Sequence, residues 1–206
     1  MPTDYTKLAG LVKEAGLIAA PDESYAIAFL GDGTMHIVKG PYTSAPVDIQ
    51  SEGTIYQNSG LTTSATGAVI LDLFTLPAGA LYKAGKILEV TSAALHAATA
   101  NAVTLSLNFG GTGSVGGAVT GGTTLASSGA DSTSGSMMYV QSDVIKTGAS
   151  AQFFYGYGQF AATTAALLGG SMSVTDTAAI QINLIINCAV AATDLTAAFW
   201  AITFCH

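Results

Sequence analysis

From about residue 51 onward, short runs of alternating apolar and polar side chains follow one another, each closed by a cluster of Gly, Ser or Thr. Val103, Leu105, Leu107 and Phe109 alternate with Thr104, Ser106 and Asn108, which sends the apolar side chains to one face of a strand and the polar ones to the other. Ile180, Ile182, Leu184 and Ile186 repeat the pattern against Gln181 and Asn183. The same reading predicts strands over 53–58, 68–76, 86–95, 136–146, 152–160 and 197–205. About eight strands at this spacing make the chain all-β, with an eight-stranded, jelly-roll-like sandwich over residues 51–206. A long Gly/Ser segment, 110–135, separates the first four strands from the last four. Long loops of that kind are usually functional or mobile, and Val115, Val119 and Leu125 offer one further short strand inside it.

The first fifty residues follow a different pattern. Thr3 or Thr6 caps a short helix in which Leu8, Leu11, Val12, Ala15 and Ile18 share one face, and Pro21 ends it. Tyr25, Ile27 and Phe29 then alternate, Gly31-Asp32-Gly33 supplies a tight turn, and residues 34–39 alternate again, which predicts a β-hairpin. Gly40-Pro41 and Pro46 mark a linker. Asp4, Glu14, Asp22, Glu23, Asp32 and Asp48 make this stretch more charged than the remainder. Residues 1–50 therefore form a separate attachment segment of helix plus hairpin, with Leu8, Leu11, Val12, Tyr25 and Phe29 as its candidate docking side chains.

Charge sharpens the picture. Only 9% of the residues are charged, all six basic residues are Lys, and the net charge is -7, so a phosphate backbone finds almost no cationic footprint and nucleic acid is not a partner. A soluble surface ordinarily carries roughly 25–35% charged residues. An exterior built from Ser, Thr, Asn, Gln and Gly instead is cheaply desolvated against other chains, which points to an assembly subunit. Mean hydropathy is positive at +0.49, yet the most apolar stretches, 149–168 and 178–192, are broken by Gln152, Gln159, Gln181, Asn183 and Asn187, so no membrane span is expected. The opening MPTDYTKLAG has no basic stretch followed by an apolar core, and a Sec leader is not expected either.

Catalytic chemistry has little to work with. Residues 111–116 satisfy GxGxxG after a strand, but Gly, Val and Thr follow where a helix should present its N-terminus to a pyrophosphate, so the match reads as a loop. The histidines His36, His96 and His206 are scattered singly and read as surface or turn residues, and no GxSxG elbow is present. Glu52, Asp72, Glu89, Asp131, Asp143, Asp176 and Asp194 are the acids available to a hydrolase in the strand region. Cys188 and Cys205 lack a CxxC partner and read as small buried hydrophobes, and Asp32-Gly33 lacks the further ligands of a calcium loop. No enzyme activity, metal or cofactor is expected.

Aromatic side chains supply the one candidate ligand surface. In FFYGYGQF, Phe153, Tyr155 and Tyr157 share a face while Gly156 and Gly158 leave the other open. Such a strand either packs under the opposite sheet or stacks a sugar or a neighbouring subunit. Trp200, opposite in phase to Phe199, packs likewise or lies in a subunit contact.

The run TLPAGALYKAGKILEVTSAALHAATANAVTLSLNFGGT, 75–112, resembles a pattern of tailed-bacteriophage virion proteins: a strand ending in LPA, a turn, a glycine before a strand, a polar turn, and an alternating strand closed by GGT. AIQINLIINCAV and LTAAFWAITFC are similar to the last two strands of the same jelly rolls. Glu89 and Thr91 stand where that family usually carries basic residues. The resemblance implies a virion structural protein, assembled in the host cytoplasm, that works as a homotrimer on the major capsid protein as capsid cement, decoration or head fibre. Its alternative implication is a receptor-binding tail protein that recognises host glycans through the aromatic strand or the long Gly/Ser loop.

Overall fold

The computed structural model describes residues 25–29, 35–39, 47–48, 53–81, 84–97, 100–161, 163–164, 167–190 and 194–205. The chain divides into two compact units, Met1–Glu52 and Gly53–His206. In the first, β1 (Tyr25–Phe29) pairs antiparallel with β2 (Met35–Lys39), Tyr25 opposite Lys39 and Phe29 opposite Met35, and β3 (Val47–Asp48) adds to β2. The expected hairpin strands are thus present. The expected helix, its docking residues Leu8, Leu11 and Val12, and the Gly31-Asp32-Gly33 turn lie outside the described residues.

The second unit is a β-sandwich of two antiparallel sheets, with no helix among the described residues. Its strands in chain order are β4 (Gly53–Asn58), β5 (Leu61–Thr62), β6 (Gly67–Leu76), β7 (Ile87–His96), β8 (Val103–Phe109), β9 (Thr123–Ser127), β10 (Met137–Gly148), β11 (Ala151–Phe160), β12 (Thr163–Thr164), β13 (Leu168–Met172), β14 (Ile180–Cys188) and β15 (Leu195–Cys205). One sheet runs β12-β11-β10-β7-β15-β4, with β13 also on β11 and β5 also on β15; the other runs β6-β14-β8-β9. All eight expected strands are present. β5, β9, β12 and β13 are additional, because two-residue pairings and sequences such as LGGSM carry no period-2 signal.

Alternation builds the core as expected. Leu88 and Val90 of β7, Met138, Val140 and Val144 of β10, and Trp200, Ile202 and Phe204 of β15 turn inward from the larger sheet. Against them pack Val103, Leu105, Leu107 and Phe109 of β8 and Ile182, Leu184 and Ile186 of β14. The side chains of β14 that point away from this core include Gln181 and Asn183, and they have a task of their own. Asn183 Nδ2 donates to Gly111 O at 3.1 Å, Gly111 N donates to Asn108 Oδ1 at 3.1 Å, and Gly113 N donates to Gln181 Oε1 at 3.0 Å. Thr112 and Thr120 bridge antiparallel, and Ile70 of β6 exchanges backbone hydrogen bonds with Gly116 and Gly117. The segment expected to be an unstructured Gly/Ser loop is therefore a strap, stitched to the second sheet by carboxamides and continued by β9; Leu125 lies on that strand, whereas Val115 and Val119 do not. Its glycines are a steric need: a Cβ on Gly122 would stand 2.3 Å from Gly111 N, and one on Gly111 would stand 2.3 Å from Asn108 Oδ1.

The same logic explains the aromatic strand. The face of β11 that carries Gly156 and Gly158 is closed, because the backbone of β9 lies directly on it. A Cβ at Gly156 would meet Leu125 O at 2.2 Å, and one at Gly158 would meet Ser127 O at 1.9 Å. Main chain thus fills the space at these two positions, while Phe154 on the same face reaches the core and Phe153, Tyr155 and Tyr157 lie on the opposite, outer face.

Ionic groups sit largely inside this unit. Of the acids between 53 and 206, Asp72, Asp131, Asp176 and Asp194 are buried, as are Lys86 and Lys146. They tie strands and loops to one another. Asp72 Oδ2 accepts from Tyr56 Oη and Asn58 Nδ2, both at 2.7 Å, while Asn101 Nδ2 donates to Asp194 at 2.9 Å. Lys146 meets Asp176, and Lys86 Nζ lies 4.5 Å from the centre of the Phe204 ring. Asp131 accepts from Ser136 Oγ and from Thr133 N at 2.8 Å. His96, expected in a surface turn, is fully buried at the end of β7 beside this cluster, with Nδ1 2.9 Å from Thr133 O and 3.7 Å from Asp131 Oδ2.

Two predictions follow from the packing and the buried cluster. Gly158→Ala drives a methyl group into the β9 backbone, and overpacking of this kind costs about 1–3 kcal/mol; a lowered denaturant midpoint checks it, and unchanged stability would contradict the close approach. For Asp131, burial pushes the carboxyl upward, but the hydrogen bonds from Ser136 and Thr133 and the nearby His96 outweigh it and hold the group below its ordinary value of 3.8. A depressed carboxylate stabilises the fold above the unfolded-state value, and that stability is lost as pH falls through the folded one. Asp131→Asn is expected to lose about 1.5–3 kcal/mol near neutral pH and to shrink the fall in melting temperature below about pH 4.

Candidate functional site

The outer face of the larger sheet is ordered by its registers into rows. One row aligns Tyr155, Asp143, Glu89, Thr203 and Thr54 across β11, β10, β7, β15 and β4. The next aligns Tyr157, Gln141, Thr91, Ala201 and Gln57. Beyond it lie Gln159, Tyr139, Ala93 and Phe199, and then Met137, Leu95 and Thr196. On the opposite side Phe153, Ile145, Ile87 and Cys205 form a row. The face is thus apolar at both ends and polar across its middle.

Exposure singles this face out. Among the described residues the exposed large hydrophobic side chains are Leu95, Val115, Met137, Phe153, Tyr155, Leu167, Val190 and Phe199. Five of these, Leu95, Met137, Phe153, Tyr155 and Phe199, lie in the rows just given. Concentration on one side of one sheet is the signature of a contact surface rather than of scattered apolar residues.

The polar middle holds two neighbouring hydrogen-bonded groups, Tyr155 with Asp143, and Gln141 with Glu89, Tyr139 and Tyr157. Tyr155 Oη donates to Asp143 Oδ2; Gln141 Nε2 donates to Glu89 Oε2 at 2.8 Å; and the hydroxyls of Tyr139 and Tyr157 both donate to Gln141 Oε1, at 2.8 and 3.1 Å. The Tyr139 and Tyr157 rings lie 5.9 Å apart at 44°. Glu89 and Asp143 are directly opposed across β7 and β10, a pairing of like charges that is unfavourable unless donors intervene. Gln141 and Tyr155 are those donors. Hydrogen bonding to Asp143 and its negative charge raise the Tyr155 hydroxyl above its ordinary value, and burial together with Tyr157 raises that of Tyr139, so both phenols stay protonated as donors. Burial, reinforced by Glu89 and Asp143, pushes the Cys205 thiol upward and leaves it a poor nucleophile.

Of the candidate surface residues, the structure brings Phe153, Tyr155 and Tyr157 together on this face, with Tyr157 half-buried. Trp200 is corrected as an interface or glycan-facing candidate, while the other expectation for it, that it packs inside, is the one realised. It is wholly buried, 5.1 Å edge-on to the Tyr56 ring, because a bulge between Ala197 and Phe199 sets the phase of β15 so that Phe199 faces out and Trp200 in. Tyr25 and Phe29 occupy β1 of the first unit. Sequence reading missed Phe199, Leu95, Met137, Tyr139, Gln141, Glu89 and Asp143. Each belongs to an alternating strand, but only the pairing order makes them neighbours.

Other chemistry resolves into packing. Ser136, Asp131 and His96 contain the residue types of a hydrolytic triad in the wrong order: serine bonds to the carboxylate instead of the imidazole. All three are buried, and they hold residues 131–136 against the end of β7. Residues 111–116 form the strap rather than a phosphate cradle. Cys188 is buried, Cys205 is half-buried, and both are free thiols. Among the described residues no group of three or more His, Cys, Asp or Glu stands close enough to hold a metal, and no helix is long and apolar enough to cross a membrane.

No family model matches the sequence, and no curated protein matches it. Among solved structures, a fructofuranosidase from Schwanniomyces occidentalis bound to fructose is similar at a TM-score of 0.25 and 6% identity, over 87% of this chain and 39% of that one. The infectious bursal disease virus Gt strain is similar at 0.24 and 13% identity, over 88% of this chain and 42% of that one. The chain thus spans well under half the length of either, and likenesses of this size carry no argument about fold or activity.

Proposed function

We propose that this chain is a structural subunit of a bacteriophage virion, a homotrimeric capsid-decorating protein whose sandwich is wound as a jelly roll. The observation that carries the reading is the distribution of charge. Among the described residues of the second unit both lysines are buried, the acids that are not buried are the half-buried Glu89 and Asp143, and these are already hydrogen-bonded by Gln141 and Tyr155. Such an exterior loses little solvation when it is covered, and the apolar ends of the outer face supply the gain. Sibling molecules meet through that face, and residues 1–50 dock on the major capsid protein through Leu8, Leu11, Val12, Tyr25 and Phe29. Each trimer then bridges neighbouring capsid subunits, so that rupture of the shell must break its contacts as well, and repetition around the shell multiplies modest energies.

A second reading is favoured by one observation. Exposed Phe153 and Tyr155 flank hydroxyl-accepting Asp143, Glu89 and Gln141, a combination suited to stacking and hydrogen-bonding an uncharged sugar. In that case the protein is a tail component that binds host glycans.

Heads stripped of the protein are expected to release their DNA at a lower temperature than complete heads, and restoring it is expected to recover the difference. Replacing Leu8, Leu11 and Val12 with Asp is expected to abolish head binding while leaving the trimer intact. Equal robustness of stripped and complete heads would contradict the decoration role; binding to a neutral-glycan array, lost in Tyr155→Ala, would move the assignment to the tail.

A further inference from the structure

The buried lysine at the end of β10 is placed for covalent chemistry. Lys146 Nζ meets Asp176 Oδ2 and also donates to Ala149 O at 3.1 Å. The two side chains are only 6% and 11% exposed. Their backbones are clamped independently. Lys146 N donates to Lys86 O at 2.9 Å and Gly85 N to Lys146 O at 2.8 Å, while Gly79 N donates to Asp176 O at 2.6 Å. Gln152, the cross-strand partner of Lys146, grips the chain just before the aspartate: its Nε2 donates to Val174 O at 2.8 Å, and its Oε1 accepts from Val174 N at 3.0 Å. An amine and a carboxyl group are thus held in contact, largely away from water, by two hydrogen-bonded segments.

We propose that Lys146 and Asp176 condense to an intramolecular isopeptide bond. Lys146 Nζ attacks Asp176 Cγ, a Cγ–Oδ bond breaks, and the oxygen departs as water with two of the ammonium hydrogens. The remaining hydrogen stays on the new secondary amide. Ammonium plus carboxylate gives amide plus water, so the step needs no oxidant, nucleotide or metal. Burial favours it twice over. It lowers the lysine toward the free amine, the form that attacks, and it favours a neutral amide over an ion pair whose desolvation is only partly repaid. Fixed geometry supplies the rest, since held reactants reach effective concentrations of about 10⁵–10⁸ M. The bond closes a covalent ring over residues 146–176, so the segment carrying β11, β12 and β13 stays tethered at both ends to the end of β10. This inference rests on the Lys146 site alone and stands whether or not the protein decorates a capsid.

Mass spectrometry of the full-length chain, unfolded and digested, decides it. The fragment joining Lys146 to Asp176 is expected to be lighter than its sequence by one water molecule. Asp176→Asn is expected to reach the same product mass by losing ammonia, while Lys146→Arg and Asp176→Ala give uncrosslinked peptides of full mass. Wild-type peptides at full mass, with Lys146 open to acetylation after unfolding, would overturn the proposal and leave an ion pair only; that result needs no variant to fold.

Discussion

A carboxylate or an ammonium group taken out of water is tolerated only with a partner, and this sandwich uses that constraint to hold its irregular segments in place. Asp72, Asp131, Asp176 and Asp194 each reach side chains or backbone of a neighbouring strand or loop. Lys146 joins the end of β10 to the loop after β13, and Lys86 covers the Phe204 ring. Removal of Asp176 or Lys146 leaves its partner stranded in the interior. The sandwich thereby commits most of its few ions to cohesion, and its exterior is left to hydroxyl, amide and apolar groups.

Close backbone approach is the second device, and it explains the glycines. β9 lies so tightly on β11 that Gly156 and Gly158 admit no side chain, and the strap before β9 folds back on itself where Gly111 meets Gly122. Carboxamides of Asn108, Gln181 and Asn183 then take up the strap's backbone groups. The consequence appears on the other side of the larger sheet. On the inner face of β11 main chain stands over Gly156 and Gly158 while Phe154 joins the core, and Phe153, Tyr155 and Tyr157 lie on the outer face beside Tyr139, Gln141 and the opposed pair of acids.

Much of this was legible in the chain. Strict alternation in Val103–Phe109 and Ile180–Ile186 marks core strands because burial on one face demands it, and the eight strands read this way are all present. β13 was hidden because LGGSM has no such rhythm, and of β9 only the further short strand through Leu125 was legible, its bounds being set by hydrogen bonding and steric fit. The orientation of Trp200 depended on a bulge that leaves no sequence signature. His96 appeared to be a turn residue because its partners, Asp131 and Thr133, are brought to it only by the fold. The candidate face was half visible: Phe153, Tyr155 and Tyr157 share a strand, whereas Leu95, Met137 and Phe199 become their neighbours only through sheet order.

The proposed role in assembly rests on the second unit's ion-poor exterior and on the five of its eight exposed large hydrophobic side chains that share one sheet face among the described residues. Light scattering of the purified full-length chain through a dilution series into the micromolar range tests it most directly. The account predicts a stable trimer that Leu95→Arg combined with Phe199→Arg converts to folded monomers. A wild-type protein that remains monomeric at every concentration would contradict it.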